Sequence, residues 1–193
     1  MDNRLDYYTY QEQIKVFLKN LNQKKILQIF LEHNYESSFF VQVTYNYVEK
    51  EYYIYFTNRD EDIAKDIKQN ILSSEELRKK YVQISQNEIL NEYFKKEKFS
   101  KYVSYKKIKK KDGTKIEDIL KKDRLKDIEG PTNILNGWRY NVLSSYLGEK
   151  RIYSFQTYIE KGYEDIGKII EITFSYLPEE QRKYGSRKIQ YKV

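Results

Sequence analysis

The chain of 193 residues holds 36 Lys and Arg against 29 Asp and Glu, no cysteine, one histidine and 21 tyrosines, and 16% of it is aromatic. That length suits one domain with a sizeable core, and the aromatic share speaks against disorder. The lack of cysteine excludes disulfides, cysteine-bound zinc and a thiol nucleophile, and a lone His33 with no Gly-x-Ser-x-Gly turn gives no support to a Ser-His-Asp hydrolase.

With only 7 Gly and 2 Pro, no long flexible linker is expected, and residues 1–193 read as a single domain. Gly130-Pro131 is the one strong breaker, and a subdomain boundary would fall there. The first residues carry charges of both signs and no apolar core of a leader peptide. The longest apolar patch, Ile26 to Leu31, is interrupted by Gln28 and falls far short of the ~20 residues of a membrane-spanning helix. A soluble, cytoplasmic protein with no membrane partner is the expectation.

In chain order, Thr9 is placed to cap a helix from Tyr10 to about Leu21, with Tyr10, Ile14, Phe17, Leu18 and Leu21 on its apolar face. Lys24 to Glu32 fits a helix or a short strand, and helix is the reading taken. Phe39 to Tyr47 alternates as a strand and Tyr52 to Thr57 returns as its hairpin partner. Pairing Tyr47 with Tyr52, Tyr45 with Ile54 and Val43 with Phe56 makes one face wholly apolar or aromatic. Asn58 then opens a helix with Asp60, Glu61 and Asp62 in its first turn, where acids complement the helix dipole, and with a stripe of Ile63, Ala64, Ile67 and Ile71. Capping boxes at Ser73/Glu76 and Ser85/Glu88 predict two more helices, the second reaching Lys96.

A strand is expected over Tyr102 to Ile108, ended by a turn at Asp112-Gly113, and a third capping box, Thr114/Glu117, starts another helix. Thr132 is expected to cap a helix to Leu147. Strands follow over Ile152 to Glu160, Lys168 to Leu177 and Arg187 to Val193. The predicted fold is α+β, with helices and a β-hairpin in the first two-thirds and antiparallel strands at the C-terminal end. No Gly-rich phosphate loop occurs.

One stretch concentrates the charge. Residues 95–111 hold nine lysines and one glutamate, a net charge of +8 in a chain of net charge +7. Lys, Ile, Asn and Tyr are enriched together, as an AT-rich genome would encode, so clustering counts for more here than amount. Lys95, Lys96, Lys98, Lys101, Lys106, Lys107, Lys109, Lys110 and Lys111, interleaved with Tyr102 and Tyr105, form a candidate polyanion-binding surface. Lysines displace counterions from phosphates, and aromatic rings stack on exposed bases. Tyr53 and Tyr55, on the polar face of the hairpin, join the candidate set. The bland reading is an edge strand guarded by lysine. The scarcity of Arg argues against base readout.

The expectation is therefore a non-enzymatic binding protein without a cofactor. Its partner would be RNA or DNA, or an acidic surface of a protein that handles nucleic acid. An inhibitor of a defence nuclease, carried by a phage or mobile element, fits that profile. Two alternatives stand beside it. One is a metal-dependent nuclease using Glu160, Asp165 and Glu171, although the lysine such sites place after the last acid is missing. The other is a structural oligomer joined through strand edges.

Overall fold

The computed structural model describes residues 5, 7–18, 22–33, 38–75, 78–79, 86–96, 99–122, 138–146, 149–156, 158–159, 161–186 and 190–191. The elements are α1 (Tyr7–Leu18), β1 (Gln23–His33), β2 (Phe39–Asn46), β3 (Glu51–Thr57), α2 (Asp60–Ser73), α3 (Gln86–Lys96), a 3-10 turn (Phe99–Tyr102), β4 (Val103–Ile108), α4 (Lys110–Lys122), β5 (Trp138–Tyr146), β6 (Glu149–Gln156), β7 (Tyr158–Ile159), α5 (Glu164–Phe174), α6 (Glu179–Ser186) and β8 (Gln190–Tyr191). Six strands form one antiparallel sheet in the order β4-β3-β2-β1-β5-β6, and β7 pairs with β8 in parallel. Among the described residues no helix is long and apolar enough to cross a membrane.

The chain is α+β, but the expected segregation of its strands to the C-terminal end is overturned. Four of the six sheet strands precede residue 110, and helices alternate with strands along the whole length. Three segments account for the error. Residues 23–33 form the strand at the heart of the sheet, paired with β2 on one side and β5 on the other. Ile26 to Leu31 are all buried, Gln28 included. A short apolar run covered on both faces has no periodicity by which to tell strand from helix.

Residues 138–146 form β5, where a helix was expected. Tyr140, Val142 and Ser144 face the core at alternate positions, and the segment satisfies the backbone edge that β1 would otherwise leave open. Residues 164–174 form α5, where a strand was expected. The alternation of Ile170, Ile172, Phe174 and Tyr176 is real in the sequence. Adding Ile166, Ile169, Thr173 and Leu177, all buried, turns it into a stripe of helical spacing.

The hairpin formed in the expected place with its faces as read, but its register differs by two residues. Tyr45 pairs with Tyr52, Val43 with Ile54 and Val41 with Phe56. The loop is residues 47–50. Asn46 Oδ1 accepts from the amides of Val48 (2.9 Å) and Glu49 (3.2 Å), and Lys50 takes the left-handed conformation at φ 57°. An Asx-type turn and one left-handed residue make a four-residue loop without glycine.

Both faces of the sheet are covered. On the first, Leu27, Ile29, Leu31, Phe39, Val41, Val43, Ile54, Tyr140, Val142 and Tyr153 pack against Ile116 and Leu120 of α4 and Ile166, Ile170 and Phe174 of α5. On the second, Phe30 and Phe40 meet Tyr10 and Ile14 of α1, Ile63 and Ile67 of α2, and Leu90 and Phe94 of α3. Tyr10 stacks on Phe40 with ring centroids 6.3 Å apart, and meets Phe94 edge-on at 5.6 Å, the offset and T-shaped arrangements that aromatic quadrupoles favour.

Several caps fall elsewhere than expected. Thr9 lies inside α1, which starts at Tyr7. Asn58 does not cap α2. Its amide donates to Tyr102 O, and Asp60 at the helix start is buried, its Oδ1 accepting from the Ser38 amide at 2.8 Å. Ser73 ends α2, so it opens no helix there, and Glu76 and Ser85 lie outside the described residues. So does the Gly130-Pro131 breaker, and of the expected last strand only Gln190 and Tyr191 are described.

The largest local departure is at Asp112-Gly113, which forms no turn. Both residues sit in the first turns of α4, and Thr114 and Glu117 lie inside the helix. The amides of Asp112 and Gly113 donate to Lys109 O at 2.9 and 3.1 Å, so the chain turns from β4 into α4 at Lys109. Gly113 is there for closeness. A Cβ at this position would stand 2.3 Å from Cγ of Tyr52, so the helix rests directly on the tyrosine ring.

Candidate polyanion-binding surface

The basic stretch supplies an edge strand of the six-stranded sheet. It runs from the end of α3 through the 3-10 turn and β4 into the first turn of α4. Among the described residues β4 pairs only with β3 and forms one edge of the sheet, with Ser104 to Lys107 all exposed. Because strand side chains alternate, Ser104, Lys106 and Ile108 take the first face of the sheet and Val103, Tyr105 and Lys107 the second.

Four of these nine lysines are engaged within the protein. Lys95 Nζ stands 3.6 Å from Glu12, Lys101 Nζ 2.8 Å from Asp66 and Lys107 Nζ 2.8 Å from Glu51. Lys106 Nζ donates to Tyr176 O at 3.1 Å and lies over the Phe56 ring. Lys98 and the side chain of Lys96 lie outside the described residues. Tyr102 is only 2% exposed. Its ring packs on Phe94, and its hydroxyl donates to Asp66 Oδ2 at 2.7 Å. Hydrogen bonds from Lys101 and then Tyr102 hold the Asp66 carboxyl below its ordinary range. This half of the stretch fastens the edge of the sheet to α2, and Tyr102 is taken out of the surface.

From Lys109 on the stretch differs. Among the described residues, Lys109, Lys110, Lys111 and Lys115 make no ion pair, and the side chains of all four are exposed. Lys110, Lys111 and Lys115 line an open cleft of about 570 Å³ with Thr114, Ile119, Asp118 and Asp165. Both acids there have lysine partners of their own: Asp118 is 3.3 Å from Lys121, and Asp165 is 2.7 Å from Lys168. The cleft also adjoins the N-terminus of α4, whose dipole favours anions.

Tyr176, which the sequence did not single out, anchors this corner. Its hydroxyl accepts from the Lys109 amide at 3.0 Å and donates to Asp112 Oδ2 at 2.5 Å. Burial first, and the bond to Asp112 next, push its pKa up. The start of α4 is thereby tied to the segment that follows α5. A tyrosine on an alternating run was the only signal in the sequence, and the alternation was misread.

Three tyrosines meet on the second face beside β4. Tyr105 is 62% exposed, stacks on Tyr55 at 5.7 Å and 29°, and meets Tyr53 edge-on at 6.2 Å. Tyr55 is buried, its hydroxyl accepting from Gln23 Nε2 at 2.8 Å. The Tyr53 hydroxyl donates to Glu49, which pushes its pKa up to about 12. Tyr105 is the ring presented to solvent, and the other two support it from behind.

Two of the three acids of the nuclease alternative stand on a helix. Asp165 and Glu171 are both on α5, on different sides of the helix, and Glu160 lies outside the described residues. Among the described residues no three histidine, cysteine or acidic side chains stand close enough to hold a metal ion. Compared with protein-family models, with curated proteins and with solved structures, the chain finds no match in any of the three.

Proposed function

We propose that this chain is a non-enzymatic nucleic-acid-binding protein whose contact surface is Lys109, Lys110, Lys111 and Lys115, with Tyr105 as a stacking ring. The observation that carries the reading is the contrast among the lysines: Lys95, Lys101 and Lys107 are bound to carboxylates, and the unpaired ones gather from Lys109 on, at the start of α4. Unpaired ammonium groups attract phosphates without first having to leave a partner. Tyr105 lies three strand positions, roughly 10 Å, before the end of β4. A single strand could therefore lay one base on Tyr105 and run its phosphates toward Lys109. The surface offers cations and a ring but no arginine, which suits binding to the backbone without base readout.

Fluorescence anisotropy of a labelled single-stranded oligonucleotide, titrated at several salt concentrations, tests this. Four lysines that each release counterions give a log-log slope of about −3 for a single strand. Affinity that is indifferent to salt, or no binding at low salt, would overturn the proposal.

A further inference from the structure

A groove of about 390 Å³ opens between α1 and the second face of the sheet, away from the basic edge. Its wall is α1, which lends it the apolar Ile14, Val16 and Leu18 together with Lys15. Its floor is polar, made by Lys25 and Gln28 of β1 and Gln42 and Thr44 of β2. The volume falls within the range of roughly 300–1,000 Å³ typical of small-molecule sites.

Buried polar groups are costly unless paired, and most of those on this floor are paired. Thr44 donates to Gln23 Oε1 at 2.5 Å, and Gln23 Nε2 donates to the Tyr55 hydroxyl. Gln28 Nε2 donates to Gln42 Oε1 at 2.7 Å, and Gln28 Oε1 accepts from Gln11 Nε2 and Lys25 Nζ, each at 3.4 Å. Gln42 is the exception. It is only 2% exposed, and its Oε1 is taken, yet its Nε2 donors meet no acceptor among the described residues.

Lys25 beside it is half-buried, with the long contact to Gln28 as its one hydrogen bond and no carboxylate partner among the described residues. Burial first, then the charges of Lys15 and Lys150, pull its pKa down. The floor thus presents donors and positive charge in excess of what the described residues satisfy, facing a wall that is apolar but for Lys15.

We propose that this groove binds a small amphiphilic oxyanion: a carboxylate or phosphate monoester whose head meets the Lys25 ammonium and the Gln42 amide, and whose apolar body lies along Ile14, Val16 and Leu18. An oxyanion would supply the missing acceptors and the missing negative charge together.

The test is an NMR titration of the full chain, following the Gln42 side-chain amide, with acetate, hexanoate, inorganic phosphate and phenyl phosphate as probes. At least one of hexanoate and phenyl phosphate should bind at least ten times more tightly than its bare head, acetate or inorganic phosphate, and should shift the Gln42 resonances. Whichever of the two binds better identifies the head. Lys25→Met should weaken that binding at least tenfold. So should Val16→Glu, which places a like charge on an exposed position of the wall and leaves the buried amides intact. Lysines elsewhere on the surface contribute to neither the Gln42 signal nor these losses. Equal affinity for head and whole probe, an unmoved Gln42 amide at millimolar probe, or both variants within twofold of the parent would overturn the proposal.

Discussion

Gly113→Ala is expected to destabilise the protein by about 2 kcal/mol, against the direction of helix propensity. Alanine in place of glycine inside an exposed helix is ordinarily worth up to ~1 kcal/mol in its favour. Here the new methyl would stand 2.3, 2.4 and 2.7 Å from Cγ, Cδ2 and Cδ1 of Tyr52. These are the near atoms of the ring, which move only if the whole side chain or the helix moves. Tyr52 is buried against Ile54 and Ile108, and its hydroxyl donates to Glu117 Oε2 at 2.9 Å. Ring and helix are therefore locked at both ends, and overpacking of this kind costs ~1–3 kcal/mol. The clash outweighs the propensity. Urea unfolding reads the effect, and combining Gly113→Ala with Tyr52→Leu should recover part of the loss. A Gly113→Ala variant as stable as the parent would mean that α4 does not rest on Tyr52.

Raising the pH should unfold the protein through its tyrosines. Burial, aided by the bond to Glu117, pushes the Tyr52 pKa up to about 12, and burial alone raises that of Tyr140 further. Burial also raises Tyr55 and Tyr176. An unfolded tyrosine loses its proton near pH 10, while these folded ones retain theirs. Between the two values the folded chain binds more protons than the unfolded one, so stability falls as pH rises. Each such tyrosine removes about 1.4 kcal/mol per pH unit once its unfolded form is ionised. Lys25, with its lowered pKa, works in the opposite direction, but it is one group against several. Urea midpoints compared at about pH 9 and about pH 11, with tyrosinate absorbance followed in parallel, should show a loss on the order of 2 kcal/mol. Flat stability across that window, with the absorbance change complete before unfolding, would contradict the burial described for Tyr52 and Tyr140.

What the sequence disclosed and what it hid have physical reasons. β2, β3 and α2 were legible because each is long enough for its period to show. Phe39 to Asn46 alternates without ambiguity, and Ile63, Ala64 and Ile67 fit only a helix. β1, β5 and α5 were misread because their apolar residues satisfy both periods within a short window, and the deciding information was tertiary. β1 has neighbours on both sides, and α5 has Phe39 and Tyr140 beneath Phe174. Asp112-Gly113 carries the signature of a turn, and only the Tyr52 ring, far away in sequence, gives the glycine its other use.

The site divides in the same way. That the charge is concentrated in residues 95–111 is plain from lysine spacing. Which of those charges are already neutralised depends on Glu12, Glu51 and Asp66, none of them adjacent in the chain. Lys115, just past the stretch, and Tyr176, which positions Lys109, gave no local signal.

The most direct test compares two triple variants that remove the same charge. Lys109→Gln, Lys110→Gln and Lys111→Gln together remove three unpaired lysines from the start of α4. Lys95→Gln, Lys101→Gln and Lys107→Gln together remove three that are ion-paired. Binding of one labelled single-stranded oligonucleotide at one fixed salt concentration should weaken at least tenfold in the first variant and stay within about threefold in the second, because phosphate contacts and their counterions are lost only in the first. Equal losses in the two would mean that the oligonucleotide responds to net charge alone, and no loss in either would mean that it binds elsewhere; both results contradict a site at Lys109 to Lys111.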